Sequence, residues 1–460
     1  MPHFKWHAAR ITGLLLILFV TAVHYPASSA LCTEARAPTL RIGAATAEIE
    51  ADDSMVIGGG IGPGKLVGQE GKLQATAIVL SGNTKLCLVG VDVLMMNRDL
   101  LDEAARRIEN ECRIPFANIL INASHTHHAP TTVSIHGYVR DPVFSRRTVE
   151  AIVDSARRAN AKLVESSPVT PVFRLAQEAT VGQNSRQLLK DGKIFWIGPQ
   201  TGFVRPTAPF DSDLPVLGFR RPDGKLAALI FNHSTHCIGA RAPKRSPGFY
   251  GHTAQELSEE LGCPVLFLSG AAGSTHNLSL SCDEMVVRLK SAIKEGLAKA
   301  TPMSSARLAG EKKEVDYEVR RFEEEAEDRA VSEYCKTYAP QGADFIIGVF
   351  RDMRRQLQPL QGEKRKTWVQ GVRIGDVYLS AVPAEFFTAL GIEIKRRSPH
   401  RYTYVAALSN DYVGYLPDRD GFRLGGYQTW TGLHSFTVPG TGELVVDESI
   451  KLLQTLGSKR

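Results

Sequence analysis

Short apolar runs alternate with amphipathic stretches along most of the chain. Leu73–Leu80 and Lys85–Val93 read as two strands parted by the turn Ser81-Gly82-Asn83. Asn118–Ala123, Lys225–Phe231, Val265–Leu268, Trp368–Ile374, Val377–Val382 and Tyr402–Leu408 have the same character. They are short, β-branched or aromatic, and bounded by polar or turn residues. Leu100–Glu111 reads as a helix. A second helix is expected to start at Asp141-Pro142, with Asp as its cap and Pro in its first turn. Val149, Ile152, Val153 and Ala156 give that helix an apolar face at i, i+3, i+4 and i+7. Thr253–Leu261 reads as a third, closed by Gly262. Residues 310–365 form a polar stretch read as a helical insert, and its acidic run from Phe322 to Asp328 as a solvated helix face. The sequence contains no repeat and no low-complexity linker. The alternation predicts one large α/β domain over about residues 38–455, with flanking helices. Several strand pairs look like hairpins, so mixed β-sheets are expected.

The N-terminus departs from this pattern. Lys5 and Arg10 precede an apolar run from Ile11 to Val23, and small residues end at Ala30. Thirteen residues at ~1.5 Å each span about 20 Å, short of the ~30 Å hydrocarbon core. Residues 1–30 therefore read as a cleaved signal peptide rather than an anchor. Export to the periplasm or the extracellular space follows. A lipid-anchored start at Cys32 is disfavoured by Leu31. Removing residues 1–30 lowers the net charge from +6 to +4. That charge is mild and dispersed, which argues against nucleic acid as a partner. Export permits disulfides, but seven cysteines form no dense framework and no CxxC pair.

Gly59-Gly60-Ile61-Gly62-Pro63-Gly64-Lys65 resembles a phosphate loop. Leu66 stands where the hydroxyl residue belongs and Pro63 removes a backbone donor, so the segment is read as a flexible glycine loop without nucleotide. Ser124-His125-Thr126-His127-His128 is different, because it leaves an apolar strand directly. In extended chain, His125 and His127 point the same way. Asn232-His233-Ser234-Thr235-His236-Cys237 is a second histidine cluster at a strand exit. Imidazole suits zinc, and α/β enzymes place chemistry at strand ends. No His-Glu-x-x-His is present, so further ligands must come from elsewhere. Glu385 follows Val377–Val382, and Tyr412 and Tyr415 follow Tyr402–Leu408. Alone, Glu385 reads equally as a surface carboxylate, and the tyrosines read as packed in a loop.

Taken in order, the segments resemble the catalytic domain of the neutral (non-lysosomal) ceramidases, from about Arg41 to Gln454. The resemblance rests on Ile42-Gly43-Ala44-Ala45, Asn122–His127, Gly182–Arg186, Phe231–His236, Ser269–Gly273, Val382–Glu385, Ser409–Tyr415 and Gly426-Tyr427. It implies a secreted amidohydrolase that binds one Zn2+ through His125, His236, Glu385 and Tyr415. By the same resemblance His127, Arg186 and Tyr427 face the scissile amide. The substrate implied is an N-acyl lipid such as ceramide, released as fatty acid and amine. Zinc lowers the pKa of a bound water from ~15.7 to ~7. Arg186, Tyr427 and the metal then suit the oxyanion, and His127 the leaving amine. His127 and Glu385 stay alternative acceptors for the water's proton.

The chain departs from the family in four places, one of them Ala384 where a Gly is common. Cys237 stands where a Pro often follows the second histidine. Ser274-Thr275-His276-Asn277 replaces a segment that often carries Asp, so His276 is a candidate extra polar group. The characterised ceramidases also carry a β-sandwich after the catalytic domain, which is expected to be absent here. A same-fold zinc hydrolase of another amide or ester is the alternative, and a non-catalytic exported binding module a weaker one. Peripheral membrane contact fits a lipid substrate, with no transmembrane segment in the mature chain. Asn-x-Ser sequons begin at Asn122, Asn232 and Asn277. Two of these adjoin the candidate site, where glycans would obstruct it, so they are read as chance.

Overall fold

The computed structural model describes residues 39–277 and 279–458. The expected signal peptide and Cys32 lie outside the described residues. Three sheets carry the fold. In the first, Arg41–Glu48, Gln74–Ser81, Lys85–Val91 and Ile119–Ala123 lie in chain order. Its first three strands are antiparallel, and the fourth joins in parallel. In the second, Val265–Ser269 runs parallel to Leu226–His233, which pairs antiparallel with Asp213–Arg220 and through it with Thr170–Gln177. In the third, Leu308–Glu318, Lys364–Ile374 and Val377–Ala381 are antiparallel, and Tyr402–Ala406 is parallel to the last. The α/β class with mixed sheets is thus what the sequence predicts.

One apolar core joins all three sheets. It holds Ile78 and Leu120 from the first, Phe219 and Ile230 from the second, and Leu379 and Tyr404 from the third. Helix Pro142–Ala161 covers the other face of the first sheet, and its N-cap Asp141 accepts from the Phe144 N–H at 2.8 Å. Helices Gly248–Leu261 and Cys282–Ala298 pack on the second sheet. The former starts five residues before the expected Thr253. Two glycines in its first turn, Gly248 and Gly251, conceal that start, because glycine is a poor helix former.

The stretch 310–365 is not wholly helical. Its first part belongs to the strand Leu308–Glu318 at the edge of the third sheet. Partial exposure of an edge strand admits Lys312, Glu314 and Asp316, which hide it from an apolar-run reading. Helices Glu324–Tyr338 and Ala343–Leu357 follow. The acidic run is only partly solvated. Glu324 takes both ends of a bidentate pair from the fully buried Arg354, at 2.7 and 2.8 Å, and Asp328 accepts a third bond at 2.9 Å.

The strand exits converge through two buried asparagines. The Asn122 amide donates to the Ser409 hydroxyl at 3.0 Å and to the Ala407 carbonyl, and its oxygen accepts from the Ser269 N–H at 2.9 Å. It therefore ties together one strand end from each sheet. Asn232 donates to Leu268 and Val405 carbonyls at 2.8 and 3.0 Å. Both are buried, so neither sequon is open to a glycan. Among the described residues all six cysteines are buried, unpaired thiols, and no helix is long and apolar enough to cross a membrane.

Candidate active site

The site forms where the strand exits meet. His125 and His127 leave Ile119–Ala123, and His236 leaves Leu226–His233. Glu385 and Tyr415 are brought side by side by a two-residue parallel pairing, Glu385 with Tyr415 and Phe386 with Leu416. His125 has a left-handed backbone, φ 63°, a conformation that costs a non-glycine residue about 1–3 kcal/mol and marks sites held by their surroundings.

Each of the three imidazoles is oriented by a backbone carbonyl. Nδ1 of His125 donates to Leu94 O at 2.9 Å, and Nδ1 of His127 to Gly59 O at 3.0 Å. Nδ1 of His236 donates to Ala272 O at 2.7 Å and Thr275 O at 3.0 Å. A carbonyl only accepts, so the Nδ1 atoms carry the protons and the Nε2 atoms point inwards. The three ligand atoms lie within 4.8 Å of one another, and Nε2 of His125 stands 3.3 Å from Nε2 of His127. The Glu385 carboxylate Oε2 lies 3.1 Å from His236 Nε2 and 3.3 Å from His125 Nε2. The Tyr415 hydroxyl is 3.1 Å from His236 Nε2.

This donor set fits a metal ion. Ring nitrogens that face one another and a carboxylate need a positive charge between them, either extra imidazole protons or a cation. Burial, followed by the neighbouring imidazoles, pushes His127 well below the usual histidine range, and burial also lowers His236. A divalent cation supplies the charge without those protons. Tethered Nδ1–H groups are also the usual supports of metal-bound imidazole. Nitrogen and oxygen donors of this kind suit zinc. Burial opposes ionisation of Glu385, but His125 and His236 outweigh it and hold the carboxyl well below its ordinary range. Burial, then the Glu385 charge, keeps the Tyr415 phenol protonated.

A cavity of about 280 Å³ opens over this cluster. His127, His236, Tyr415 and Tyr427 line it, and the aromatic face of Trp196 stacks on Tyr427 at 4.4 Å. Six of the seven residues expected from the sequence are therefore gathered around one point. Arg186 lies behind it. Its guanidinium is buried, donating to Gln428 Oε1 at 2.7 Å, Gly421 O at 3.0 Å and Gly425 O at 2.6 Å. Burial lowers its pKa to about 10. Three of its N–H groups hold the segment that carries Tyr427 and Gln428, and it does not line the cavity. His276 does, stacked on His236 at 4.1 Å. Ser274 points elsewhere, bonding the Thr388 hydroxyl and N–H, each at 3.1 Å.

Three supporting roles escape a reading of the sequence. Tyr412 donates to Glu385 Oε1 at 2.9 Å. The Tyr427 hydroxyl meets Nε2 of the buried His136 at 3.1 Å. The glycine loop is part of the site. Gly59, at φ 109°, lies so close to His127 that a Cβ there would stand 2.6 Å from Nδ1. The repeated glycines of that segment, rather than any phosphate-loop character, are the signal that could have found it.

Comparison with protein-family models and with curated proteins gives no match. Comparison with solved structures does. A ceramidase complexed with C2 aligns with a TM-score of 0.71 over 92% of this chain and 76% of its own, at 16% identity. The neutral ceramidase from Pseudomonas aeruginosa aligns with a TM-score of 0.67 over 91% of this chain and 75% of its own, at 18% identity. The fold is that of the neutral ceramidases. At this identity the likeness is one of fold, and it agrees with the family resemblance carried by the short motifs. In this chain separate strand exits meet around one centre, and the residues at those exits are histidines, a glutamate and a tyrosine.

Proposed function

We propose that the protein is an exported zinc-dependent amidohydrolase, which cleaves the N-acyl amide bond of ceramide or a related N-acyl lipid. The observation that carries this is the convergence of three oriented imidazoles, an ionised Glu385 and Tyr415 beneath an aromatic cavity in a ceramidase fold. Export rests on the sequence of residues 1–30.

His125, His236, Glu385 and Tyr415 would hold the zinc. Glu385 Oε2 supports that choice over His127, since it stands close to Nε2 of both His125 and His236. Bound zinc would polarise the amide carbonyl and furnish a nucleophile from water at neutral pH. His127 is then left to move the proton. Its Nδ1 is fixed on Gly59, and its Nε2 is free to take a proton and return it to the leaving amine. Glu385 is the poorer acceptor, with Oε1 held by Tyr412 and Oε2 against the histidines. The Tyr427 hydroxyl, fixed by His136, would stabilise the oxyanion. Arg186 contributes by holding the loop 421–428 in place.

The test is hydrolysis of a fluorescent short-chain ceramide by purified protein with its zinc quantified. The reading expects about one zinc per chain, and His125→Ala is expected to lose both the metal and at least a thousandfold in rate. Zinc-loaded protein inert towards every N-acyl amide offered would refute it.

A further inference from the structure

We infer that the cavity selects a short acyl chain, and that the limit is set by the wall segment 195–197, which the helix Glu324–Tyr338 holds in place. The inference rests on the reading above and names the substrate class within it.

The cavity is small. Its volume of about 280 Å³ lies at the bottom of the ~300–1,000 Å³ range of pockets that engulf drug-sized ligands. At ~30 Å³ for each water-sized group, it accommodates about nine such groups. The reacting amide and an acyl chain of about six carbons fill that space. The sphingoid chain must run out through the mouth, so a longer acyl chain has to displace the wall.

The wall is fixed rather than adaptable. The Tyr334 hydroxyl accepts from the Trp196 N–H at 2.7 Å and the Ile197 N–H at 3.3 Å, and bonds the Ile197 carbonyl at 3.1 Å. Two further ties hold the preceding turn to the same helix. The Tyr338 hydroxyl donates to Asp191 at 2.7 Å, and Lys193 pairs with Glu333 at 3.1 Å. The Phe195 N–H donates to the Gln187 carbonyl at 2.9 Å. Trp196 is pressed between Tyr427, stacked at 4.4 Å, and the edge of Trp430 at 5.6 Å. Opening this wall to a longer chain would break hydrogen bonds made by a buried phenol and unstack two aromatic rings. A chain that stops short of it breaks none. Across the cavity, Gly59-Gly60-Ile61 cannot retreat either, because Gly59 carries the carbonyl that orients His127.

The experiment measures kcat/KM of the zinc-loaded protein on ceramides with acyl chains of 2, 4, 6, 12 and 16 carbons, all in the same mixed detergent micelles. The expected profile rises by about fourfold per methylene while the chain is still being buried. It peaks near six carbons and is at least tenfold lower at sixteen. Phe195→Ala removes bulk from the wall without touching Tyr427, and is expected to raise the ratio of the sixteen-carbon to the six-carbon rate at least tenfold. Trp196→Ala serves as the second variant should the first fail to fold. A wild-type profile that is flat or highest at sixteen carbons would overturn the inference and leave the amidohydrolase reading standing. Absence of cleavage at every length would instead defeat that reading. The wall is then judged by calorimetric binding of hexanoate and hexadecanoate. A gain for hexadecanoate alone in Phe195→Ala supports it, and equal changes for both acids, or none, reject it.

Discussion

Gly59 shows how a single backbone position governs the chemistry of a side chain 68 residues away. Its carbonyl receives the His127 Nδ1 proton, and its missing Cβ leaves room for the ring. Alanine at this position would meet two penalties. At φ 109° an L-residue is strained by about 1–3 kcal/mol. Its Cβ would also lie under 3 Å from three atoms of His127. The ring must then turn away from the Nε2 of His125. Gly59→Ala is expected to fold with a modestly lower melting temperature and to retain its zinc, since His127 is not among the four proposed ligands. Its kcat is expected to fall at least tenfold. Zinc content and kcat measured on the same preparation check this, and loss of zinc would instead make His127 a ligand.

At the scale of elements, the fold depends on how strand ends are pinned rather than on any one strand. Asn122 is fully buried and bridges the exits of three sheets. Asn122→Ala leaves the Ser269 N–H and the Ala407 carbonyl without that partner, at about 1–3 kcal/mol for each buried group left unpaired. A loss of roughly 3 kcal/mol in stability is therefore expected, read by chemical denaturation, together with a loss of zinc affinity because His125 follows three residues later. Asn232→Ala is the control, since its amide ties the two neighbouring exits. The strands themselves were legible because a buried strand of a mixed sheet is a continuous apolar run, as in Ile119–Ala123 and Leu226–His233. The histidines at their ends were legible for the same reason. Leu308–Glu318 was not, because an edge strand alternates with charge. Tyr412 and His136 were also hidden. Their roles arise from contacts across 27 and 291 residues, which no local pattern records. Arg186 had a role only through the resemblance, and its guanidinium lies behind a loop whose path the sequence does not describe.

For the whole molecule, two devices couple stability to solution conditions. The first is buried acid. Burial raises Asp92 to about 7 despite a hydrogen bond from the Gln74 N–H, and raises Asp411 to about 6. A carboxyl whose folded pKa exceeds its unfolded value of ~3.9 holds its proton more tightly in the native state. Such a group leaves stability untouched below pH ~4, erodes it as pH rises to its folded pKa, and costs a constant amount above. Asp92→Asn is therefore expected to raise the melting temperature at pH 8 and to change it little at pH 4, and an equal shift at both would contradict the assignment. The second device is the candidate metal centre. Its proposed ligands come from strand exits in different sheets, and they set imidazole nitrogens and a carboxylate facing one another. A cation there would tie those sheets together and relieve that opposition, so it would bind the folded chain and not the unfolded one. Stability should then rise by RT ln(1 + [Zn]/Kd), about 1.4 kcal/mol per tenfold in free zinc above Kd. With an unfolding entropy of ~2.1 cal/mol/K per residue, that corresponds to ~1–2 °C for a domain of this size. Chelation should lower the melting temperature, and buffered zinc should restore it along that logarithmic slope. His125→Ala, which removes a ligand, should lie at the chelated value and not respond to zinc. A melting temperature indifferent to chelator in the wild type would mean that the imidazoles are held by protons, and that the centre is not built for a metal.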